Sequence, residues 1–187
     1  MSTDYALSIG AFDHTGIIPS SPEMARTKAR EKYQEALKSG GMGEALVSGS
    51  EDCTMYLWHP EKTLKPVARL TGHQKMVNQV LFSPDARVIV SASFDSSLKL
   101  WNAKDGSFIH TLRGHVAAVY QCAFSSDSRL IVSGSKDTTL KIWDIKTGKM
   151  VKDLPGHEEE VFAVDWAVDG KVIASGGRDK KVKLWVF

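Results

Sequence analysis

A Gly-His pair recurs at a strict interval: Gly72-His73, Gly114-His115 and Gly156-His157 each follow the last by 42 residues. A lone histidine could be a base, a metal ligand or a buried hydrogen-bonding group, because its ring can donate from one nitrogen and accept at the other. Recurrence at one period makes it part of a repeated supersecondary unit. A second landmark keeps the same register. Trp58, Trp101, Trp143 and Trp185 each stand six residues after Asp52, Asp95, Asp137 or Asp179, and the last three stand 28 residues after the histidines. Four units are represented, three of them with their own Gly-His.

Within one unit, VYQCAF (119–124), LIVSGS (130–135), TLKIWD (139–144) and MVKDL (150–154) are short runs rich in Val, Ile and Thr, punctuated by turns such as SSDS. The pattern predicts antiparallel strands, and four strands per period match one blade of a β-propeller. The fold class is all-β. With GH, S-G-S-x-D and the closing Trp143-Asp144, residues 45–187 resemble the WD40 family. That resemblance implies a partial WD40 β-propeller of about four blades, ending near residues 71, 113, 155 and 187, the last lacking its outer strand. Trp58-His59, Trp101-Asn102 and Trp185-Val186 depart from the motif's final aspartate.

In the resembled fold the histidine joins a buried hydrogen-bonded chain from the turn aspartate, through the imidazole and a strand serine, to the tryptophan indole N–H. The serine four residues before the aspartate is present in every unit, whereas the site two before it is Gly177 in the last. The expected members are Ser48, Asp52 and Trp58; His73, Ser91, Asp95 and Trp101; His115, Ser133, Asp137 and Trp143; and His157, Ser175, Asp179 and Trp185. Ser, His and Asp together could also suggest a hydrolytic triad, but the set occurs three times and no G-x-S-x-G elbow presents the serine. No catalytic residue is assigned and the chain is read as non-enzymatic.

Metal and cofactor readings find no support. The repeat histidines belong to different units, with no cysteine or paired histidine at zinc-ligand spacing. KSGGMG (38–43) lacks the lysine of a phosphate-binding loop and reads as a flexible turn. His14, His59 and His110 stand alone and are expected at the surface, as are the lysines of GRDKKVKLW (177–185), read as a solvated strand face. Cys53 and Cys122 fall at non-equivalent positions, which argues against a disulfide framework and fits a reducing, intracellular setting. The 24 basic against 22 acidic residues leave a net charge of +2, no reason in itself to expect nucleic-acid binding. No apolar run approaches the length of a membrane span.

Ahead of the repeats, residues 1–15 contain YALSIGAFDHTG, which resembles an inner strand and its turn aspartate Asp13, a blade remnant. Residues 16–44 read as a helical insertion, with Ser21 as cap, Pro22 in the first turn and Gly40 as terminator. Ala25, Ala29, Tyr33, Ala36 and Leu37 form its apolar stripe, expected to dock on the propeller side.

TDYALSIGAFDHTG, LRGHVAAVYQ and DLPGHEEEVFAVDW, with the insertion before LVSGSEDCTMYLW, resemble the Notchless family. That resemblance implies the carboxy-terminal half of an eight-bladed propeller that acts in large ribosomal subunit maturation, in the nucleus and nucleolus. Its partners would be proteins, with RNA a further candidate, of the large-subunit precursors. The family's ubiquitin-like domain recruits the ATPase midasin; the 187 residues contain no such domain, so that arm is not expected here. The alternatives are a generic WD40 adaptor, such as a ubiquitin-ligase substrate receptor or signalling scaffold, or a truncated fragment whose open edges pair with another copy. In the resembled fold, the residues three and five after each histidine and the one before each turn aspartate ring the central opening. Here they are Met76, Asn78, Ala118, Tyr120, Glu160 and Phe162, with Glu51, Phe94, Lys136 and Arg178. Exposed Phe and Tyr beside Lys and Arg have the composition of an interface hot spot.

Overall fold

The structure, a computed structural model, describes residues 44–186. The blade remnant of 1–15 and the helix and glycine-rich turn expected up to residue 43 lie outside them. Among the described residues, fourteen strands form four antiparallel sheets in chain order. The first sheet holds β1 (Leu46–Gly49), β2 (Met55–Trp58) and β3 (Ala68–Leu70). The second holds β4 (Val77–Phe82), β5 (Val88–Ser93), β6 (Ser97–Asn102) and β7 (Phe108–Arg113). The third holds β8 (Val119–Phe124), β9 (Leu130–Ser135), β10 (Thr139–Asp144) and β11 (Met150–Pro155). The fourth holds β12 (Val161–Trp166), β13 (Val172–Gly177) and β14 (Val182–Val186). These are the blades of a partial propeller, as the repeat period predicts.

Each hairpin between the second and third repeat strands turns at a residue in the left-handed region: Cys53 (φ 68°), Ser96 (68°), Thr138 (71°) and Lys180 (61°). The preceding aspartate offsets that cost by capping the turn. Asp95 Oδ1, for example, accepts from the Ser97 N–H at 3.0 Å and its hydroxyl at 2.6 Å, and Asp137 Oδ1 accepts from Thr139 at 3.1 and 2.7 Å. The repeat aspartate therefore shapes the hairpin as well as holding the histidine.

The core lies between blades. Leu98, Leu100, Val90 and Ala92 of the second blade cluster with Val119, Cys122, Ile131 and Trp143 of the third. Leu140, Ile142 and Val132 of the third cluster in the same way with Val161, Val164 and Ile173 of the fourth. Met55, Leu57 and Leu70 meet Ile89 and Trp101 across the first junction. Each such aliphatic side chain removed from water stabilises the stack by roughly 1.5–3 kcal/mol. Polar contacts tie the same junctions: Gln79 Oε1 accepts the Cys122 N–H at 2.6 Å and Gln121 Oε1 accepts the Val164 N–H at 2.9 Å.

Two expectations are corrected. His59 is buried, 7% exposed, and its Nδ1 has no hydrogen-bond partner, while His110 is half-buried with its ring against Gly148. Which turn positions are covered is set by packing, which sequence polarity does not reveal. In the 177–185 run the polarity is inverted at the strand itself. Lys183 is half-buried and its Nζ donates to the Gly156 carbonyl, whereas Val182 and Leu184 are 77% and 69% exposed. The equivalent lysines Lys99 and Lys141 are buried too, their ammonium groups held by Thr111 Oγ1 at 2.9 Å and Asp153 at 2.9 Å. Alternation correctly separates the two faces of the strand; which of them is covered depends on the neighbouring blade.

Candidate interaction face

The repeat network has the same geometry in three blades. His73 Nδ1 lies 2.8 Å from Asp95 Oδ2 and Nε2 2.7 Å from Ser91 Oγ, while Trp101 Nε1–H donates to that Oγ at 3.0 Å. The distances for His115, Asp137, Ser133 and Trp143 are all 2.8 Å, and those for His157, Asp179, Ser175 and Trp185 are 2.9, 2.8 and 2.9 Å. In the first blade Trp58 donates to Ser48 at 3.0 Å and Asp52 serves its own turn, without a histidine between them.

Protonation gives the chain a direction. Burial would raise the Asp95 carboxyl, but hydrogen bonds from Ser97, the Gln74 N–H and His73 outweigh it and hold the group at about 2. The Asp137 carboxyl is likewise held well below its ordinary value, burial being outweighed by bonds from His115 and Thr139. An ionised carboxylate only accepts, so each histidine carries its proton on Nδ1 and accepts at Nε2 from the serine hydroxyl, which itself accepts the indole N–H. Ser91 and Ser133 are 0% exposed and engaged on both sides. Each hydroxyl is thus closed off from solvent and committed to the imidazole and the indole, a brace that ties the strands of one blade together.

The brace positions a face at the blade tips. Gln74 N–H, Val116 N–H and Glu158 N–H each donate to the repeat aspartate of their blade, at 2.9, 3.0 and 3.2 Å, which pins the loop after the histidine. Residues three after the histidine and one before the aspartate are then joined by one backbone bond per blade: Phe94 N–H to Met76 O, Lys136 N–H to Ala118 O and Arg178 N–H to Glu160 O, at 3.1, 2.9 and 2.8 Å. The inner strand shifts register between Val77 and Gln79, Val119 and Gln121, and Val161 and Ala163. Each shift is a β-bulge at Asn78, Tyr120 or Phe162, the positions five after the histidine, and bulges re-aim the side chain they carry.

Those side chains touch across blades. The Phe94 and Tyr120 rings meet edge to face at 5.5 Å between centroids, and Tyr120 meets Phe162 at 5.3 Å. Asn78 Nδ2 donates to the Tyr120 carbonyl. Phe162 is 48% exposed, while Phe94 and Tyr120 are half-buried against one another, less open than expected from the sequence. Around this row, Glu160 accepts from the Tyr120 hydroxyl at 3.0 Å and pairs with Lys136 and Arg178, each at 3.7 Å. Burial, followed by the bond to Glu160, raises the Tyr120 hydroxyl above its ordinary value. Glu51 is exposed, and Met76 and Ala118 are half-buried. Glu159, which pairs with Arg178 at 3.6 Å, escaped the sequence reading because it lies one residue off the repeated offset.

Antiparallel sheets in 42-residue register, three of them braced by Asp, His, Ser and Trp, define the class, and the chain belongs to the WD40 family of β-propeller repeat proteins. The repeat pattern described as "WD domain, G-beta repeat" matches residues 64–102, 106–144 and 148–186. Over 112 residues, 59% of this chain, it is 63% identical to "Ribosome assembly protein 4" of Saccharomyces cerevisiae, matching 22% of that protein. It is 58% identical over 98 residues to the protein of that name from Chaetomium thermophilum, covering 51% of this chain and 19% of the relative. The "Notchless protein homolog" of Arabidopsis thaliana is 55% identical over 102 residues, 54% of this chain and 21% of its own. These likenesses support the resemblance to the Notchless family read from the sequence. The chain matches about a fifth of the length of each of these relatives.

Proposed function

We propose that the chain is a non-enzymatic WD40 scaffold that presents a rigid face to partners during assembly of the large ribosomal subunit. The observation that carries the docking role is the row Phe94, Tyr120 and Phe162, which spans three blades and is flanked by Lys136, Arg178 and Glu160. Aromatic side chains lose little conformational freedom on binding and, with arginine, dominate interface energetics. The likeness to ribosome assembly proteins supports the choice of particle. In this reading the docking set is Glu51, Met76, Asn78, Phe94, Ala118, Tyr120, Lys136, Glu160, Phe162 and Arg178, on the WD blades of 45–187. Its partners are proteins and RNA of large-subunit precursors in the nucleus and nucleolus. Midasin recruitment is not part of the reading for these 187 residues.

Sedimentation of the tagged chain from cell lysate through a sucrose gradient, probed for large-subunit precursors, tests the reading. Comigration that weakens from low to moderate salt is the expected result, because contacts to RNA phosphates release counterions. Phe94→Ala with Tyr120→Ala should reduce that comigration while leaving the thermal unfolding midpoint high enough for a folded chain. A soluble chain that stays at the top of the gradient overturns the ribosomal assignment; full comigration by the double variant overturns the assignment of the face.

A further inference from the structure

The second and third blades carry a lysine at the same place in their third strand, and its surroundings differ. In the third blade Lys141 on β10 stands opposite Asp153 on β11, and its ammonium meets that carboxylate at 2.9 Å. In the second blade Lys99 on β6 stands opposite Thr111 on β7, the counterpart of Asp153, and its ammonium donates to the Thr111 hydroxyl at 2.9 Å. Arg113, opposite Ser97, takes the place that Pro155 holds opposite Thr139. A carboxylate and a proline in one blade thus become a hydroxyl and a guanidinium in the other. Lys99 is 9% exposed, and among the described residues no carboxylate pairs with it, whereas buried charges are ordinarily paired. Burial lowers its ammonium from the ordinary value; the Asp95 charge opposes that and the Arg113 charge adds to it. Both Asp95 oxygens are taken, by Ser97, His73 and the Gln74 N–H.

We infer that Lys99, Thr111 and Arg113 form a binding site for the carboxylate of an acidic peptide segment of a protein partner, on the outer strands of the second blade. The third blade supplies the template, since Asp153 shows that a carboxylate fits opposite this lysine. A hydroxyl that accepts from Lys99 still has its own hydrogen to donate to an anion. Arg113 is exposed, and its guanidinium fork matches a carboxylate with two hydrogen bonds. Phe108, 54% exposed, has its ring 5.4 Å from the Lys99 ammonium and edge to face with Trp101 at 5.6 Å. It offers an apolar surface to a residue beside the acidic one. Two cations are too few for the run of phosphate contacts that gives nucleic acids their affinity, so the occupant is a peptide. None of these residues belongs to the row at the blade tips, so the site stands apart from the proposed docking face and its ribosomal assignment.

An array of short acetylated peptides, each with an aspartate or glutamate beside leucine or phenylalanine, is probed with the purified 187-residue chain. The same peptides with asparagine or glutamine in place of the acid serve as the comparison. The chain should retain a subset of the acidic peptides and not their amide counterparts, and the strongest is then titrated by fluorescence anisotropy. Thr111→Asp puts a carboxylate where Asp153 stands and occupies Lys99 from within the chain, so it should weaken that peptide by roughly tenfold or more, the worth of a hydrogen bond to a charged group. Thr111→Asn, neutral and of the same size, should weaken it far less. Arg113→Gln should weaken it roughly two- to fivefold, as a solvent-screened charge pair does, and its exposed position keeps the test readable if a Thr111 variant fails to fold. No retained acidic peptide, or equal retention of acids and amides, overturns the inference, as does equal loss with folded Thr111→Asp and Thr111→Asn. Single-stranded oligouridine bound in place of the peptides, and released by Thr111→Asp, overturns the peptide in favour of an RNA phosphate.

Discussion

Replacing Ser133 by alanine isolates the repeat brace from the apolar core. The hydroxyl is fully buried, lies 2.8 Å from both the Trp143 indole nitrogen and His115 Nε2, and is 3.4 Å from the Lys141 carbonyl. Alanine keeps nearly the same volume, so no cavity term enters. What changes is that one buried donor and one buried acceptor lose their partner at about 1–3 kcal/mol each, which predicts a loss of about 2–6 kcal/mol. Ser48→Ala is the matched control. Ser48 is half-buried and, among the described residues, meets Trp58 at 3.0 Å with no histidine beside it, so water can satisfy the indole and the cost should stay near 1 kcal/mol or below. Urea unfolding followed by tryptophan fluorescence gives both values from one preparation. A further signature is non-additivity: Trp143→Phe removes the orphaned N–H, so the double variant should lose less than the sum of the singles. Equal costs for Ser133→Ala and Ser48→Ala would refute the reasoning, because burial and the second partner would then count for nothing.

Gly134→Ala should destabilise the chain by about 1–3 kcal/mol, because a Cβ there would stand 2.8 Å from Val161 Cγ1 and 2.9 Å from Val164 Cγ1 in a packed junction. The second blade carries Ala92 at the same position opposite Cys122, so Val164→Cys should recover part of the loss in urea unfolding; no recovery would show that the clash is not the cause. Acidification should lower the melting temperature in two stages. Burial disfavours the charged ring of His73 and keeps it below the ordinary 6.5 despite the pull of Asp95, so below that pH the unfolded chain binds protons more readily. Burial would raise Asp95 and Asp179, but their hydrogen bonds hold both at about 2 against an ordinary 3.8. Their contribution is therefore complete above the ordinary value and lost as the pH falls through the native one. Calorimetry across this range checks the sign, and a melting temperature that rises on acidification contradicts it.

The strands were legible because their signals are local. SSDS and the aspartate turns punctuate runs of Val, Ile and Thr, and the third blade forms β8, β9 and β10 over the residues that those runs occupy. The brace members stood at fixed offsets from the histidine, and three blades bring each set within hydrogen-bond distance. Gln79 and Gln121 also recur 42 residues apart, so the signal for their cross-blade bonds was present in the sequence. It went unused because a polar residue on a strand reads equally well as solvated. Ser93 and Ser135, the second serines, bond the carbonyls of the loop after the histidine, a role that depends on where that loop folds back.

Periodicity by itself determined that this chain stacks four similar sheets, since residues repeated at one offset must meet the same surroundings when units pack on their neighbours. It could not determine which surroundings are missing. Val182 and Leu98 are equivalent in pattern, yet one is 77% exposed and the other is 0% exposed, because burial belongs to the junction between blades and not to the strand. The same holds at the interaction face. Offsets marked Phe94, Tyr120 and Phe162, but their row of ring contacts exists because the bulges at Tyr120 and Phe162 and the stacking of three separate sheets bring them side by side.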